Sequence, residues 1–289
     1  MERFVTKEQL SEYLILPKNF DWELVDQEIG FAEIFDIIPK QIYNSITDEK
    51  IKKLLTKAGV YYSFILSIPK LKVHIQNFGI QQFDDDKLKV APWWDVRDLG
   101  LSMLKVADKC FSDTITLISK DEALKAQIPF FSQVSEHIST PEEFEKIYSI
   151  NYSPKVFLKL QKFIKKAMIL LVEEKLKKDC IIIIKSNNDL YQFLKDALAF
   201  YSLYYASLLP EFIFTQNSVA LQYDELPWQK SIVLDAHAKI LSGQNFFQLG
   251  NESIKIITDY IKKNITDFPC YAPPEPNRKM EARDSGIYL

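Results

Sequence analysis

Glycine is scarce in this chain, with 7 among 289 residues, and this scarcity argues against several classes of enzyme. Phosphate-binding loops need several glycines because the backbone must approach the phosphate closely, yet neither GxGxxG nor GxxxxGK[ST] occurs. The nucleophile elbow GxSxG of many hydrolases is also absent. We therefore expect no nucleotide-binding loop and no serine-hydrolase site, and we predict no bound cofactor.

Charge of one sign and long apolar runs are missing as well. The net charge of −3 at pH 7 gives no general attraction to nucleic acid or to acidic membranes. The first twenty residues, Met1–Phe20, carry scattered charges and lack the apolar core of a signal peptide. The longest uncharged apolar run, Ala197–Pro210, is too short to cross a bilayer. These features predict a protein of the cytoplasm with no membrane partner.

Cysteine is nearly absent too. Cys110, Cys180 and Cys270 are odd in number and far apart, and no CxxC pair occurs. Such spacing is typical neither of a zinc site nor of a disulfide framework, so the sequence predicts reduced thiols and no bound metal.

An internal repeat is the main feature that the sequence does contain. Leu71–Asp95 and Phe212–Lys230 each alternate apolar and polar residues around turn residues, which is typical of a β-hairpin. Gln76-Asn77 recurs as Gln216-Asn217, and Pro92-Trp93 recurs as Pro227-Trp228. Because such matches keep a nearly constant offset along the chain, we interpret the chain as a tandem duplication.

The helices around the two hairpins follow the same offset. Thr6 and Thr140 both open a short helix as capping residues, and Tyr61-Tyr62-Ser63 corresponds to Phe200-Tyr201-Ser202. We therefore predict an α+β protein, mainly helical, with two homologous repeats that each carry a small antiparallel hairpin. The predicted units are repeat 1 (1–118, hairpin 71–90), a linker (119–138), repeat 2 (139–266, hairpin 212–223) and an extended C-terminal arm (267–289).

Several local boundaries follow from the same patterns. Asp21 is expected to cap a helix that buries Ile29 and Ala32. Pro69 is expected to end the long helix before the first hairpin. Asp179–Ile184, reading DCIIII, predicts a short buried strand. The last part of repeat 2 is expected to form two helices, separated between Gly243 and Asn251.

The C-terminal arm differs in composition from the rest. Its four prolines exclude a regular helix, and its polar end cannot bury enough apolar area to order itself. We therefore expect the arm to bind a neighbouring subunit or partner through Tyr271, Ile287 and Tyr288.

No group of residues resembles a catalytic site. The histidines His74, His137 and His237 are isolated from one another along the chain. The carboxylates of Asp84–Asp86 could gather a hard cation, but the run lacks the ligand spacing and the glycine of an EF-hand. We interpret it as an acidic loop at a hairpin end, and we predict that the chain is not an enzyme.

Two further features have a structural interpretation. Trp93, Trp94 and Trp228 follow the hairpins and are expected to plug the core behind them. Repeat 2 also contains a basic helix, interpreted as a solvated face, with contact to DNA or to an acidic partner as the alternative. Its lysines are Lys159, Lys162, Lys165, Lys166, Lys175, Lys177 and Lys178.

The N-terminal pattern resembles that of phage head–tail connector proteins. It reads FVTKEQLSEYLIL, a loop, and then DWELVDQEIGFAEIFDII, with Ala32 as the small residue expected on the inner face. The step Ile68-Pro69, the pair Gly79-Ile80 and the tryptophan that follows resemble uncharacterised structural proteins of tailed phages and prophages. The resemblance covers residues 4–260, although the connectors have a single copy of the repeat, and it implies no catalytic residues.

The resemblance implies a virion structural protein, assembled in the host cytoplasm. In this interpretation the protein is a head–tail connector or adaptor that docks on the portal or on tail-completion proteins. Ring assembly with portal symmetry implies about twelve copies. Two alternatives remain at this point: a metal-dependent hydrolase with Asp84–Asp86 at a site between the repeats, and a protein-interaction module outside the virion.

Overall fold

The computed structural model describes residues 3–14, 20–76, 79–82, 93–214, 218–221 and 236–271. These residues are mainly helical, which confirms the predicted predominance of helix. The boundaries of the helices are set largely by capping side chains. Thr6, for example, accepts a hydrogen bond from the Gln9 amide while the Gln9 side chain accepts one from the Thr6 amide, which completes a capping box.

The first half contains five helices in the part of the chain described. A 3-10 turn at Trp22–Leu24 precedes the second of them. The helices are α1 (Lys7–Tyr13), α2 (Gln27–Phe35), α3 (Lys40–Ser45), α4 (Glu49–Lys72) and α5 (Trp93–Ile118). Between α4 and α5, strands β1 (Val73–Gln76) and β2 (Gly79–Gln82) pair antiparallel. Two short helices, α6 (Glu122–Gln127) and α7 (Pro129–Gln133), lie in the predicted linker.

The second half has a longer set of helices. They are α8 (Pro141–Glu145), α9 (Pro154–Ala167), α10 (Glu173–Leu176), α11 (Lys178–Lys185), α12 (Asn188–Ser207) and α13 (Ala236–Lys263). A π-helical turn, Met168–Val172, joins α9 to α10, and a 3-10 turn, Ile265–Asp267, follows α13. Strands β3 (Phe212–Phe214) and β4 (Val219–Leu221) pair antiparallel between α12 and α13.

The strand pairs lie within the predicted hairpins, but much of each predicted hairpin falls outside the described residues. Residues 77–78 and 83–90 of the first and 215–217 and 222–223 of the second are among those not described. The register of the first pair places Val73 opposite Gln82 and Gln76 opposite Gly79. In the second pair Phe212 lies opposite Leu221, and both Phe212 and Phe214 are buried.

Four predicted boundaries are wrong. Asp21 caps only the 3-10 turn Trp22–Leu24, whereas Asp26 caps α2 and Ile29 is 40% exposed. Pro69 lies inside α4, which continues to Lys72. The stretch DCIIII forms α11 rather than a strand, because Cys180, Ile181 and Ile184 are buried at helical spacing whereas Ile182 is 67% exposed. The last part of repeat 2 is one helix, α13, and not two. A continuous apolar run of this length does not by itself distinguish a strand from a buried helix.

The core is one connected cluster of apolar side chains that extends through both halves. The helices that build it pack as α2 on α4, α4 on α5, α9 on α12 and α12 on α13. No helix within the described ranges combines the length and the apolar character needed to cross a bilayer.

The close approach of α2 to α4 depends on glycine. A Cβ atom at Gly30 would lie 2.2 Å from the backbone nitrogen of Ser63, and one at Gly59 would lie 2.4 Å from the ring of Phe31. Both positions therefore exclude a side chain. The prediction that Ala32 is the small residue on the inner face of α2 is wrong, because Ala32 is exposed and Gly30 is buried.

We expect Gly30→Ala to destabilise the protein by about 1–3 kcal/mol, because the added methyl group overlaps backbone atoms of α4 that cannot rotate away. Urea unfolding followed by circular dichroism measures the change. Ala32→Ser on the exposed face of the same helix is the matched control. An unchanged unfolding midpoint in Gly30→Ala would contradict the close packing described for α2 and α4.

A disulfide joins the C-terminal end of the described chain to α11. Cys180 and Cys270 are paired, with their Cα atoms 5.5 Å apart and 90 positions between them in sequence. The prediction that the thiols are reduced is wrong for these two residues, whereas Cys110 is free and buried. Sequence spacing could not reveal the pair, because only the return of the chain after α13 brings Cys270 to α11.

Removing this disulfide by Cys180→Ser together with Cys270→Ser should destabilise the oxidised protein by about 2–5 kcal/mol, since the bond closes a long loop of the unfolded chain. Thermal unfolding without reductant measures the loss, and added reductant should produce a similar loss in the wild type. Cys110→Ala is the control and should keep its sensitivity to reductant. Three reactive thiols in the unfolded, unreduced wild type would refute the pairing.

Candidate functional site

A buried polar contact lies where the two halves meet. Asp108 on α5 is buried and accepts a hydrogen bond of 2.5 Å from the Tyr62 hydroxyl on α4. The Ser153 hydroxyl, just before α9, also hydrogen-bonds the Asp108 carboxyl. Asp108 therefore joins two helices of the first half to the start of α9 in the second, and we name Tyr62, Asp108 and Ser153 the polar junction.

An ion-pair cluster lies beside the polar junction. The Nζ atom of Lys155 on α9 is 2.6 Å from Oε2 of Glu33 and 3.3 Å from Oδ2 of Asp36, both at the end of α2. The Lys155 and Glu33 side chains are mostly buried, which strengthens their attraction relative to a pair in open solvent. The cluster is a second link between the two halves.

Burial raises the pKa of Asp108 to about 7, because the charged carboxylate loses its hydration. The hydrogen bonds from Tyr62 and Ser153 oppose this rise, the negative charge of Glu33 adds to it and the positive charge of Lys155 opposes it. Asp108 therefore titrates near neutral pH in the folded protein. A carboxyl of this kind can act as an acid or base, but Asp108 is enclosed by the fold, so the arrangement serves to join helices.

A similar tyrosine contact occurs in the second half. The Tyr201 hydroxyl on α12 donates to Oδ1 of Asn251 on α13 at 3.0 Å, and Nζ of Lys175 donates to the same oxygen at 2.7 Å. Burial raises the pKa of Tyr201 to about 12 and lowers the pKa of Lys175. Asn251 thus accepts the Tyr201 hydrogen bond as Asp108 accepts that of Tyr62, with an amide in place of a carboxyl.

The predicted histidines do not come together. His137 is buried, with Nδ1 3.4 Å from the Tyr191 hydroxyl and Nε2 3.5 Å from Oε1 of Glu136. Burial lowers its pKa, so the ring is neutral at physiological pH. His237 is exposed at the start of α13, and only the backbone of His74, in β1, is described.

No group of three or more His, Cys, Asp or Glu side chains that could hold a metal ion occurs within the parts of the chain described. Asp84–Asp86 lie outside those parts.

The remaining predicted site residues are only partly described. The backbone of Trp93 and Trp94 forms the first turn of α5, whereas their side chains and the whole of Trp228 lie outside the description. Tyr271 packs against the core, and its amide donates to the carbonyl of Phe268. Ile287 and Tyr288 are not described.

The predicted basic helix of repeat 2 is partly neutralised. Lys159 and Lys162 both bind the Glu211 carboxylate, at 3.0 and 3.2 Å, and Lys178 lies 3.5 Å from Glu173. Lys165 and Lys166, near the C-terminal end of α9, are exposed. The Nζ atom of Lys166 is 4.3 Å from the centre of the Tyr205 ring. The face is therefore not a continuous basic stripe of the kind that binds a phosphate backbone.

Sequence reasoning missed that Asp108 is buried. Aspartate in the middle of an amphipathic helix normally faces solvent, and its position among the buried residues Ala107 and Phe111 was the available indication.

Asp108→Asn should flatten the pH dependence of stability. An acid with a folded pKa of about 7 and an ordinary value of 3.8 keeps a proton that the unfolded chain releases between these values. Stability therefore falls as the pH rises from about 4 to about 7, and the loss then persists above pH 7. Asparagine keeps a hydrogen-bond acceptor without the charge, so the variant should be more stable than wild type at pH 8, by about 1–4 kcal/mol.

Denaturant unfolding of both proteins at a series of pH values measures this difference. Asp36→Asn is a matched control, since it removes an exposed carboxylate of the neighbouring cluster. Its unfolding free energy should change with pH as that of the wild type does. Parallel stability curves for wild type and Asp108→Asn would show that Asp108 is ionised in the folded state at neutral pH.

Comparison with known proteins gives one match. A family model described as a family of unknown function, DUF6712, matches residues 23–124 and 152–280, which together form most of the chain. No curated protein and no solved structure matches the chain.

Proposed function

The chain belongs to DUF6712, a family of unknown function, and we propose that it is a virion structural protein. In this proposal it is a head–tail connector or adaptor that docks on the portal, contacts tail-completion proteins and assembles into a ring. The observation that carries the proposal is the contrast between buried polar contacts that hold helices together and large apolar side chains exposed on both halves. Such a distribution suits a protein that acts through its surfaces.

The exposed apolar residues support this proposal directly. In the first half they include Leu24, Leu99 and Leu101, which are 43%, 48% and 41% exposed. In the second half Ile169, Ile182, Leu208 and Ile240 are all more than half exposed. Single exposed leucines are normal on any surface, but several within each half favour interfaces with other chains.

We also propose that the chain is a tandem duplication, with two homologous repeats that each carry a hairpin. The two matched stretches, 23–124 and 152–280, support it. So do three pairs of corresponding contacts. Thr6 and Thr140 cap the first helix of each half, Gln27 and Gln161 are both buried and accept from backbone amides, and Tyr62 and Tyr201 donate to Asp108 and Asn251.

A duplicated chain suits a ring because each copy then offers two related but unequal surfaces. A contact between two different surfaces repeats from copy to copy and closes when the rotation between copies allows it. The proposed ring follows portal symmetry, with about twelve copies.

The C-terminal arm is proposed to lock the assembly. Within the predicted arm, 267–289, Phe268 is buried, Cys270 is bound to Cys180 and Tyr271 packs against the core. These contacts attach the base of the arm to the second half. Residues from 272 onward contain Ile287 and Tyr288, the proposed anchors on a neighbouring subunit or on the portal.

Deleting residues 272–289 should leave the thermal unfolding of the isolated chain nearly unchanged, because Phe268, Cys270 and Tyr271, which attach the arm to the second half, are kept, while incorporation into particles is lost. The deletion is introduced into the genome that encodes the chain, and the measurement is the amount of the chain in the purified particles. Ile287→Ala with Tyr288→Ala should reproduce the loss, and Glu281→Ala with Asp284→Ala is the matched control in the same arm.

Two results would contradict the proposal at different levels. Normal incorporation of the truncated chain would refute the locking role of the arm. Absence of the full-length chain from purified particles would refute the virion function itself.

A further inference from the structure

Two helices that occupy similar places in the two halves carry opposite charge. Residues 21–36, which include α2, contain six Asp or Glu residues and no Lys or Arg. The helix α9 contains five lysines and no acidic residue. Helices of opposite charge attract one another, so each is a potential partner of the other.

The two helices already meet at one corner inside a single chain. Lys155, in the first turn of α9, binds Glu33 and Asp36 at the C-terminal end of α2. This contact uses the end of α2 and the start of α9. Beyond it, Glu28 and Ile29 near the start of α2 and Lys165 and Lys166 near the end of α9 are exposed.

The acidic face consists of Glu23, Leu24, Glu28 and Ile29, at the N-terminal end of α2 and just before it. Leu24 and Ile29 are 43% and 40% exposed, and Glu23 and Glu28, their neighbours in sequence, are exposed as well. An Nη atom of Arg3 is 2.8 Å from Oε1 of Glu23, and both side chains are largely exposed.

The basic face consists of Lys165, Lys166, Ile169 and Leu170, where α9 passes into the π-helical turn. Ile169 lies four positions after Lys165 and Leu170 four positions after Lys166, so each lysine has an apolar neighbour on its own side of the helix. Ile169 and Leu170 are 61% and 49% exposed, and π-helical turns occur often at functional sites. The exposed Glu174 lies one turn further on and lowers the net positive charge of this region.

We propose that the acidic face of one copy of this chain binds the basic face of the next copy. Each face offers two exposed apolar side chains and two charged ones, and the charges are of opposite sign. The two faces lie on different repeats, so the contact is heterologous and passes from each copy to the next. This proposal rests on the ring assembly proposed above and adds which surfaces join the copies.

Nucleic acid fits the basic face less well. A phosphate backbone requires a row of cations and gains nothing from two exposed aliphatic side chains, whereas Lys159 and Lys162 of the same helix are bound to Glu211. A second copy presents both the apolar contact and the carboxylates that this face lacks.

The contact should be weak for an isolated pair of copies and sensitive to salt. Exposed ion pairs contribute little individually and are screened by salt. Closure of a ring compensates for the weakness of a single contact, because each copy then makes the contact twice.

Charge reversal on one face at a time tests the proposal. Glu23→Lys with Glu28→Lys reverses the acidic face, and Lys165→Glu with Lys166→Glu reverses the basic face. Sedimentation velocity of the purified full-length chain, over a range of protein concentrations at low and high salt, measures self-association. Each variant should weaken association about tenfold or more, because two attractions become repulsions.

Combining all four substitutions in one chain restores opposite charges on the two faces and should recover association. An equimolar mixture of the two single-face variants should also associate, since one variant then carries two basic faces and the other two acidic ones. These rescues separate a direct contact from damage to folding. Lys50→Glu with Lys52→Glu, at the other end of α4 from the acidic face, is the matched control and should associate like wild type.

The outcomes distinguish this inference from the function proposed above. Association that is equal in wild type and in both single-face variants overturns the assignment of these faces and leaves the connector ring standing. A wild type that stays monomeric at every concentration overturns the self-contact. Loss of binding to duplex DNA in Lys165→Glu with Lys166→Glu, with self-association unchanged, would assign the basic face to nucleic acid instead.

Discussion

The buried carboxyl of Asp108 is the interaction on which the arrangement of the two halves depends. It receives the Tyr62 hydroxyl from α4 and the Ser153 hydroxyl from the start of α9. A carboxyl enclosed in this way is unfavourable when charged, and its hydrogen bonds compensate only in part. The contact therefore fixes how α4, α5 and α9 meet, but it stabilises the fold less as the pH rises. The Lys155 cluster lies next to it and links the same two halves.

In the second half, a similar tyrosine hydrogen bond is accepted by a neutral group. Tyr201 donates to the Asn251 amide, and Lys175 reaches the same oxygen from outside. An amide needs no proton to remain buried, so this contact does not depend on pH near neutrality. The difference agrees with the positions of the two contacts. Asp108 faces another half of the chain, whereas Asn251 lies within its own half at the surface beside Lys175.

The opposite charges of α2 and α9 bear on the proposed assembly. Two identical repeats would present identical surfaces and could join only by similar contacts. The acidic residues around α2 and the lysines along α9 give the proposed repeats opposite charge at corresponding helices. In the proposed self-contact each copy binds its neighbours in one direction only, which suits the proposed ring. The disulfide between Cys180 and Cys270 holds the base of the C-terminal arm on the same half as the basic face.

The sequence by itself determined the helical character and the capped helix starts at Thr6 and Thr140. These depend on residues close together in the chain, where spacing and capping chemistry act directly. Only the tertiary structure decided that DCIIII is a helix, that Gly30 rather than Ala32 faces α4, and that Asp108 is buried. It also decided the pairing of Cys180 with Cys270. Each of these depends on what packs against the residue from a distant part of the chain, and local spacing carries no information about that partner.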